Sequence, residues 1–138
     1  MPAGDYSRLY RTYGGSLVDI DLPTAQPILI APRAANRIIT VLYITFTPTV
    51  YTGTTLTFID SLTTNVIGTI TVPAQPLTSV GEQMLYIDFG ASGTPLSVGA
   101  SLLLGGSSTG RLHIEAYQKG PLPGPPTYVA PKTAGFTA

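Results

Sequence analysis

The chain contains no cysteine and no tryptophan, and only 10% of its 138 residues are charged. Without cysteine, the protein forms no disulfide and has no thiol nucleophile. Seven basic and seven acidic residues give a formal net charge of +0 at pH 7. Because binding to a phosphate backbone requires a basic excess, we expect no nucleic-acid partner.

The scarcity of charge has two interpretations. A typical soluble domain is about 25% charged, and a chain with few charges and no net charge tends to associate with itself. The chain is either a compact, threonine-coated domain that is soluble alone, or a subunit that buries much of its surface against others. The mean hydropathy of +0.28 favours the second interpretation, so a homo-oligomer is predicted.

Long apolar runs are also missing. No stretch approaches the roughly 18 apolar residues of a membrane-spanning helix, so we expect neither such a helix nor a membrane partner. The opening residues Met-Pro-Ala-Gly-Asp-Tyr-Ser-Arg lack the apolar core of a signal peptide. Export by the usual secretory route is therefore not expected.

Glycine and proline are frequent and separate short apolar runs. The 15 glycines and 13 prolines form recurrent turn signals, which are typical of an all-β domain. The sequence predicts an antiparallel β-sandwich or jelly-roll-like barrel of about eight strands with extended arms. The predicted strands are Leu17–Leu22, Ile28–Ile30, Ile38–Phe46, Thr54–Asp60, Val66–Val72, Met84–Phe89, Leu96–Leu104 and Arg111–Gln118. The domain comprises residues 17–119, between an N-terminal arm (1–16) and a proline-rich C-terminal arm (120–138).

The segment Ile38–Phe46 is the predicted central strand. Its side chains are mostly apolar at both odd and even positions, and a strand that is apolar on both faces is covered on both faces. The strands Thr54–Asp60 and Val66–Val72 instead alternate apolar residues with threonine. That pattern predicts an antiparallel pair with one solvent-exposed face.

The two arms carry aromatic and apolar residues. In the N-terminal arm, tyrosines alternate with Arg8 and Arg11, a mixture that suits either stacking on nucleic acid or packing on a neighbour, and we favour packing. Proline forces residues 120–138 into an extended path. This arm reaches over its own domain or, as we favour, over a neighbouring subunit.

Several apolar residues fall on strand faces opposite the predicted core, namely Ile39, Val41, Tyr43, Ile59, Ile67, Met84, Tyr86 and Leu103. A large exposed apolar patch marks an interaction site, although a second sheet or the arms would also cover these residues. The predicted partner interface comprises Tyr6, Tyr10, Tyr13, Ile39, Val41, Tyr43, Met84, Tyr86, Leu122, Tyr128, Val129 and Phe136.

Residues able to perform catalysis are few and scattered. His113 is the sole histidine and alternates with Arg111 and Glu115 on a predicted strand face, so a Ser-His-Asp site is not expected. A two-carboxylate glycosidase pair would be drawn from Asp60, Glu82, Asp88 or Glu115. With seven acids along the chain, chance alone supplies such combinations, and no enzyme activity is predicted.

No metal or cofactor is predicted either. Asp19 and Asp21 share a strand face, but calcium needs 6–8 oxygen ligands, and no acidic cluster follows them. The glycine-rich segments lack the following helix that binds phosphate. Sugar-binding sandwiches stack aromatic rings on their ligand, and this role would fall to Tyr43, Tyr51, Tyr86 and Tyr117.

Four runs of the sequence share one pattern, namely Arg37-Ile-Ile-Thr-Val-Leu-Tyr-Ile, Thr54-Thr-Leu-Thr-Phe-Ile-Asp, Ile67-Gly-Thr-Ile-Thr-Val-Pro and Gly110-Arg-Leu-His-Ile-Glu-Ala-Tyr. In this pattern the chain resembles small β-sandwich structural proteins of tailed bacteriophages. The resemblance covers about residues 36–118. It implies a capsid decoration, or cement, protein in the virion that is made in the host cytoplasm.

The same resemblance implies a homotrimer that binds the major capsid protein or another virion protein, with terminal arms that bridge capsomers. It brings no catalytic residues. A carbohydrate-binding module, or an adaptor in a tail or fibre, is the alternative.

Overall fold

The computed structural model describes residues 15–75, 84–120 and 131–137. This part of the chain is all-β, contains no helix, and forms two sheets that pack as a sandwich, as predicted. The strands are β1 (Gly15–Leu22), β2 (Ile28–Ile30), β3 (Ile38–Pro48), β4 (Thr55–Asp60), β5 (Val66–Thr71), β6 (Met84–Asp88), β7 (Thr94–Pro95), β8 (Leu102–Gly105), β9 (Gly110–Lys119), β10 (Lys132–Thr133) and β11 (Gly135–Thr137).

Sheet A has the strand order β1-β9-β3-β6-β11, with β7 also paired to β3. Strand β3 pairs with β9 and also with β6 and β7. The prediction that Ile38–Phe46 is the central strand is therefore confirmed. Sheet B has the order β10-β5-β4-β8-β2. All pairings are antiparallel except that of β10 with β5, which is parallel.

A β-bulge in β3 corrects the predicted partner interface. The register against β9 shifts between Val41 and Tyr43, and an inserted residue exchanges the two faces of a strand. Ile39 and Val41 before the bulge, and Ile44 after it, therefore all lie fully buried in the core. The prediction that Ile39 and Val41 face a partner is wrong.

A second bulge lies between Phe58 and Ile59 in the pairing of β4 with β5. Ile67, expected on the outer face, belongs to the core, whereas Val66, expected inside, is only half-buried. The physical reason is the same as in β3. One extra residue reverses the alternation that the sequence pattern assumes.

The predicted strand Leu96–Leu104 is wrong over its first half. Residues 96–101 form a loop in which the Ala100 N–H donates to the Ser97 carbonyl at 3.0 Å, and β8 begins only at Leu102. In the predicted strand, Val98 would alternate inward with Ala100, Leu102 and Leu104, but it is 45% exposed. Proline, serine and glycine between the apolar residues favour the turn over a continuous strand.

The C-terminal strands bridge the two sheets. Lys132 and Thr133 pair with Gly68 and Thr69 of β5, and β11 then pairs with β6 of the other sheet. Residues 132–137 therefore pair with their own domain, which is the alternative that the sequence analysis did not favour. The predicted interface residues of the arms that lie outside the described residues are Tyr6, Tyr10, Tyr13, Leu122, Tyr128 and Val129.

The core lies between the sheets and contains large side chains that are fully buried, among them Phe46, Phe58, Leu56 and Ile70. Burial of apolar area contributes about 25 cal/mol per Å², so no disulfide or metal is needed for a domain of this size. The predicted alternation in β4 and β5 is confirmed. Their threonines lie on the outer face of sheet B, where the Thr55 and Thr71 hydroxyls are 3.1 Å apart. Ile59 of β4 and Leu103 of β8, expected opposite the core, lie on the same face and are half-buried.

Candidate partner-binding face

The outer face of sheet A carries polar and aromatic side chains from four strands, β1, β9, β3 and β6. Residues directly opposite each other in antiparallel strands project from the same face. The register aligns three rows across the sheet, which are Leu17–Glu115–Tyr43–Asp88, Asp19–His113–Thr45–Tyr86 and Asp21–Arg111–Thr47. We call these residues, together with Met84, the sheet A face.

Two tyrosines form the centre of the sheet A face. The rings of Tyr43 and Tyr86 stack with their centroids 6.1 Å apart and their planes at 17°. Met84, two residues before Tyr86 on the same strand, is 36% exposed. Tyr43, Met84 and Tyr86 were all predicted at a partner interface, and the structure places them on one face. Stacked tyrosines supply rigid apolar area and a hydroxyl group, a combination enriched at interfaces.

The bulge in β3 creates a second cluster beside this stack. Leu42 packs with Tyr117 and with Tyr43 rather than with the main core. The Lys119 ammonium lies 5.7 Å from the centroid of the Tyr117 ring, within cation–π range. Tyr117 is only 5% exposed, so it leaves little ring surface for a ligand.

The charges on the sheet A face are mostly negative. Among the described residues, Asp19, Asp21, Asp88 and Glu115 lie on it, against the guanidinium of Arg111 and, further along the same face of β9, the ammonium of Lys119. The Arg111 Nε is 3.4 Å from the Asp21 carboxylate, and both side chains are exposed, so this ion pair contributes little to stability. The face is therefore electronegative, which the charge count of the whole chain does not indicate.

His113 lies between two carboxylates on this face. Its Nδ1 is 2.9 Å from the Asp19 carboxylate, and its Nε2 is 3.8 Å from that of Glu115. Both ring nitrogens thus face acidic oxygens across the strands β1 and β9. A Ser-His-Asp site requires a serine hydroxyl at one of these nitrogens, and this arrangement places an acid there.

The environment of Tyr43 makes it a poor proton carrier. Burial raises the pKa of its phenol, and the nearby Asp88, Tyr86 and Glu115 raise it further. The phenol therefore stays neutral and can donate a hydrogen bond throughout the physiological range. The groups that the face presents are suited to apolar contact, hydrogen bonding and the attraction of positive charge.

The other carboxylates considered for catalysis have structural contacts. The Asp60 carboxylate is buried and accepts hydrogen bonds from the backbone N–H groups of Leu62, Thr63 and Ser97. Asp88 accepts one from the Gly90 N–H at 2.8 Å, and Glu82 lies outside the described residues. Within the described ranges, no group of three metal-ligating side chains is present.

A cleft of about 260 Å³ lies at one end of the sandwich, between the β1–β2 loop and the β8–β9 turn. Its lining is neutral and includes Leu22, Pro27, Leu104 and Ser108. The prolines at 23 and 27 signalled the turn, but nothing in the sequence pattern indicated a cleft. None of the described residues that line the cleft is charged.

No protein-family model, no curated protein and no solved structure matches this chain. In the described part of the chain, no helix is long and apolar enough to cross a membrane.

Proposed function

We propose that this chain is a non-enzymatic structural protein of a bacteriophage virion, a decoration protein that docks on the capsid and bridges its subunits. The resemblance of residues 36–118 to such proteins suggests this class. The observation that carries the proposal is the sheet A face, on which the Tyr43–Tyr86 stack lies beside Asp88 and Glu115 and the exposed Met84 follows on the same strand face. The partner would be the major capsid protein or another virion protein, and the subunits would form a homotrimer.

The two outer faces of the sandwich differ in charge and in aromatic content, and we base the choice of sheet A as the docking face on this difference. Sheet B presents threonines from β4 and β5. In the neighbouring row it presents the partly exposed apolar side chains of Val66, Ile59, Leu103 and Ile28. Sheet A presents stacked aromatic rings among acidic side chains. Aromatic anchors provide most of the binding energy in interfaces, and charge on the surrounding rim selects the partner and speeds association. The complementary surface on the capsid would be basic around an apolar depression.

Repetition on a lattice makes a weak single contact sufficient. A capsid offers many equivalent sites, and linked subunits bind several of them at once, so the overall strength exceeds that of one contact. A small aromatic centre on the sheet A face, such as the Tyr43–Tyr86 stack, is therefore sufficient for docking.

Co-sedimentation with empty capsids, assembled from the major capsid protein of the same phage, tests this function. We expect Tyr86→Ala to weaken binding about tenfold per site, since a loss of about 1.4 kcal/mol is a tenfold change. Thr57→Ala, on the outer face of sheet B, is the matched control and should bind like the original chain. If Tyr86→Ala bound capsids at full strength, docking through the sheet A face would be ruled out.

A carbohydrate-binding module is the second candidate, and one observation favours it. Tyr43, Asp88 and Glu115 are adjacent in one row of the sheet A face, and sugars are recognised by aromatic rings beside carboxylate acceptors. A glycan array would show millimolar binding that Tyr43→Ala abolishes. Capsid binding without any glycan binding would favour the decoration protein.

A further inference from the structure

The outer face of sheet B carries three rows of side chains, and no residue in these rows is charged. The strand register gives the rows Thr71–Thr55, Thr69–Thr57–Gly105 and Val66–Ile59–Leu103–Ile28. We call these residues the sheet B face. Its third row is apolar across four strands, from β5 through β4 and β8 to β2. Ile28 is 47% exposed, and the other three side chains of this row are half-buried.

The charged residues of sheet B do not belong to this face. Its five strands contain two of them, Asp60 and Lys132. The Asp60 carboxylate is buried and accepts hydrogen bonds from loop N–H groups. Lys132 of the edge strand β10 pairs with Gly68, and a Cβ at Gly68 would point at the Ile87 side chain in the core. A partner that covers the sheet B face would therefore take no charge out of water, and this desolvation is costly wherever charges are buried.

A further exposed apolar residue lies beside the third row. Leu62 is 63% exposed and belongs to the turn that directly follows the Ile59–Val66 pair. Its N–H donates to the Asp60 carboxylate at 2.9 Å, so the turn is held in place. A contiguous group of exposed apolar side chains on a fixed framework marks an interaction site, and no loop has to be ordered when it binds.

The distribution of charge selects a second copy of the chain as the partner of this face. Carboxylates outnumber cations on the sheet A face, so two copies that met through it would place like charges together, which is unfavourable. The sheet B face meets its own copy without any such repulsion. With 10% charged residues and a net charge of +0, the chain as a whole also has little charge to keep its copies apart.

The size of the apolar row determines how strong this contact is. Four strands at about 4.8 Å spacing give a row about 14 Å long. A row of that length covers less than the roughly 800 Å² per partner of a standard stable interface. The contact between two copies is therefore weak, and it forms at high concentration or between copies that a lattice already holds side by side.

We propose that two copies of this chain pack their sheet B faces together about a two-fold axis that passes beside Ile59 and Leu103. The apolar rows then meet at the separation of about 10 Å that is usual for packed sheets, and the threonine rows form a polar rim. A two-fold contact uses the same patch on both partners, so a residue at the axis lies next to itself in the other copy. Neither the contact nor its strength depends on capsid docking, and the sheet A face is left free for that function.

Sedimentation equilibrium of the full chain over a wide range of concentration tests the contact. We expect the average mass of the original chain to double towards millimolar concentration, whether the unit that doubles is one chain or the proposed homotrimer. Ile59→Asp places two like charges at the axis and should raise the midpoint of this association by about tenfold or more. Thr47→Asp adds the same charge on the sheet A face and should associate like the original chain.

A mixture of two variants tests the symmetry of the contact. Ile59→Asp and Ile59→Lys should each fail to double in mass alone, and an equimolar mixture should double, because opposite charges then meet at the axis. Circular dichroism checks that each variant is folded, and Leu103→Asp with Leu103→Lys provides a second pair at the axis if the first pair does not fold.

Three results would overturn the proposal. These are an original chain whose mass is constant at every concentration, an Ile59→Asp variant that associates like the original chain, and a mixture of folded variants that does not double. No capsid is present in these assays, so each of these results would leave docking through the sheet A face untouched. Conversely, full capsid binding by Tyr86→Ala would leave the contact between sheet B faces untouched.

Discussion

The Asp60 carboxylate accepts a hydrogen bond from the Ser97 N–H at 2.7 Å, and this contact joins the β4–β5 turn to the loop between β7 and β8. The same carboxylate accepts the N–H groups of Leu62 and Thr63 at 2.9 and 3.2 Å. Asp60 is therefore a structural anchor for two loops at one end of the sandwich.

The stability of the protein should fall in acid because of Asp60. Burial raises the pKa of its carboxyl, but the hydrogen bonds from Ser97, Leu62 and Thr63 outweigh burial and place the pKa below its ordinary value of 3.8. Between the two pKa values the unfolded chain binds more protons than the folded chain. The contribution of Asp60 is thus complete above the unfolded pKa and is lost as the pH falls through the folded pKa.

Replacement of Asp60 tests this anchor. We expect Asp60→Ala to lower the free energy of unfolding by about 3 kcal/mol at neutral pH, because three N–H groups lose an ionised acceptor. Asp60→Asn keeps one oxygen and should lose less, with a weaker decline in acid. Urea unfolding at about pH 7 and about pH 3 measures both effects. Equal acid sensitivity of Asp60→Asn and the original chain would contradict the assignment.

Two glycines with positive φ separate the cost of backbone conformation from the cost of overpacking. Gly90 and Gly93 have φ of 90° and 73°. A Cβ at Gly93 would lie 2.7 Å from the Thr40 side chain and 2.8 Å from the Val41 carbonyl, whereas one at Gly90 would meet nothing within 4 Å. Gly90→Ala should cost about 1 kcal/mol for its backbone conformation alone. Gly93→Ala should cost about 2 kcal/mol more through overpacking, and equal losses in chemical denaturation would refute this difference.

Ser108 should be replaceable with a gain in stability. Its hydroxyl is buried and has no hydrogen-bond partner within the described residues. Removing a buried hydroxyl that has no partner should raise the free energy of unfolding by about 1 kcal/mol in Ser108→Ala. Ser107→Ala, at the exposed neighbouring position, should change it little. Thermal unfolding measures both variants, and a loss of stability in Ser108→Ala would show that the hydroxyl has a partner.

Gln118 should be essential for the segment that precedes β3. Its side-chain oxygen accepts the Arg33 N–H at 2.8 Å, and its amide nitrogen donates to the Ala31 carbonyl at 3.2 Å. Gln118→Leu should cost about 2 kcal/mol, since both backbone groups lose their partner in a part-buried site. Gln26→Leu, at an exposed position, is the control. Amide hydrogen exchange should show faster exchange at Arg33 in Gln118→Leu only.

Local pattern sufficed for the fold class and for the strands with one exposed face. The run from Ile38 to Phe46 is rich in branched and aromatic residues, which favour strands, and it is the central strand of sheet A. Thr55, Thr57, Thr69 and Thr71 alternate with apolar residues, which determines the solvent face of sheet B in advance. These features depend on the alternation of side chains between the two faces of a strand, which has a period of two residues and can be read directly from the sequence.

The sheet A face was only partly predictable. Tyr43, Met84 and Tyr86 were recognised as residues opposite the core, but their proximity to Asp19, Asp88 and Glu115 depends on which strands pair and in which register. Bulges at Val41–Tyr43 and Phe58–Ile59 reversed the faces of Ile39, Val41 and Ile67. A bulge arises from the fit of two strands distant in sequence, so no local pattern indicates it.

The sequence alone therefore determined an all-β domain, its central strand, its threonine-coated face and the absence of thiol chemistry, because these follow from composition and short-range periodicity. The tertiary structure alone decided the electronegative aromatic face, the anchoring role of Asp60 and the pairing of residues 132–137 with both sheets. Each of these depends on contacts between residues far apart in the chain, and such contacts are set by strand register and packing.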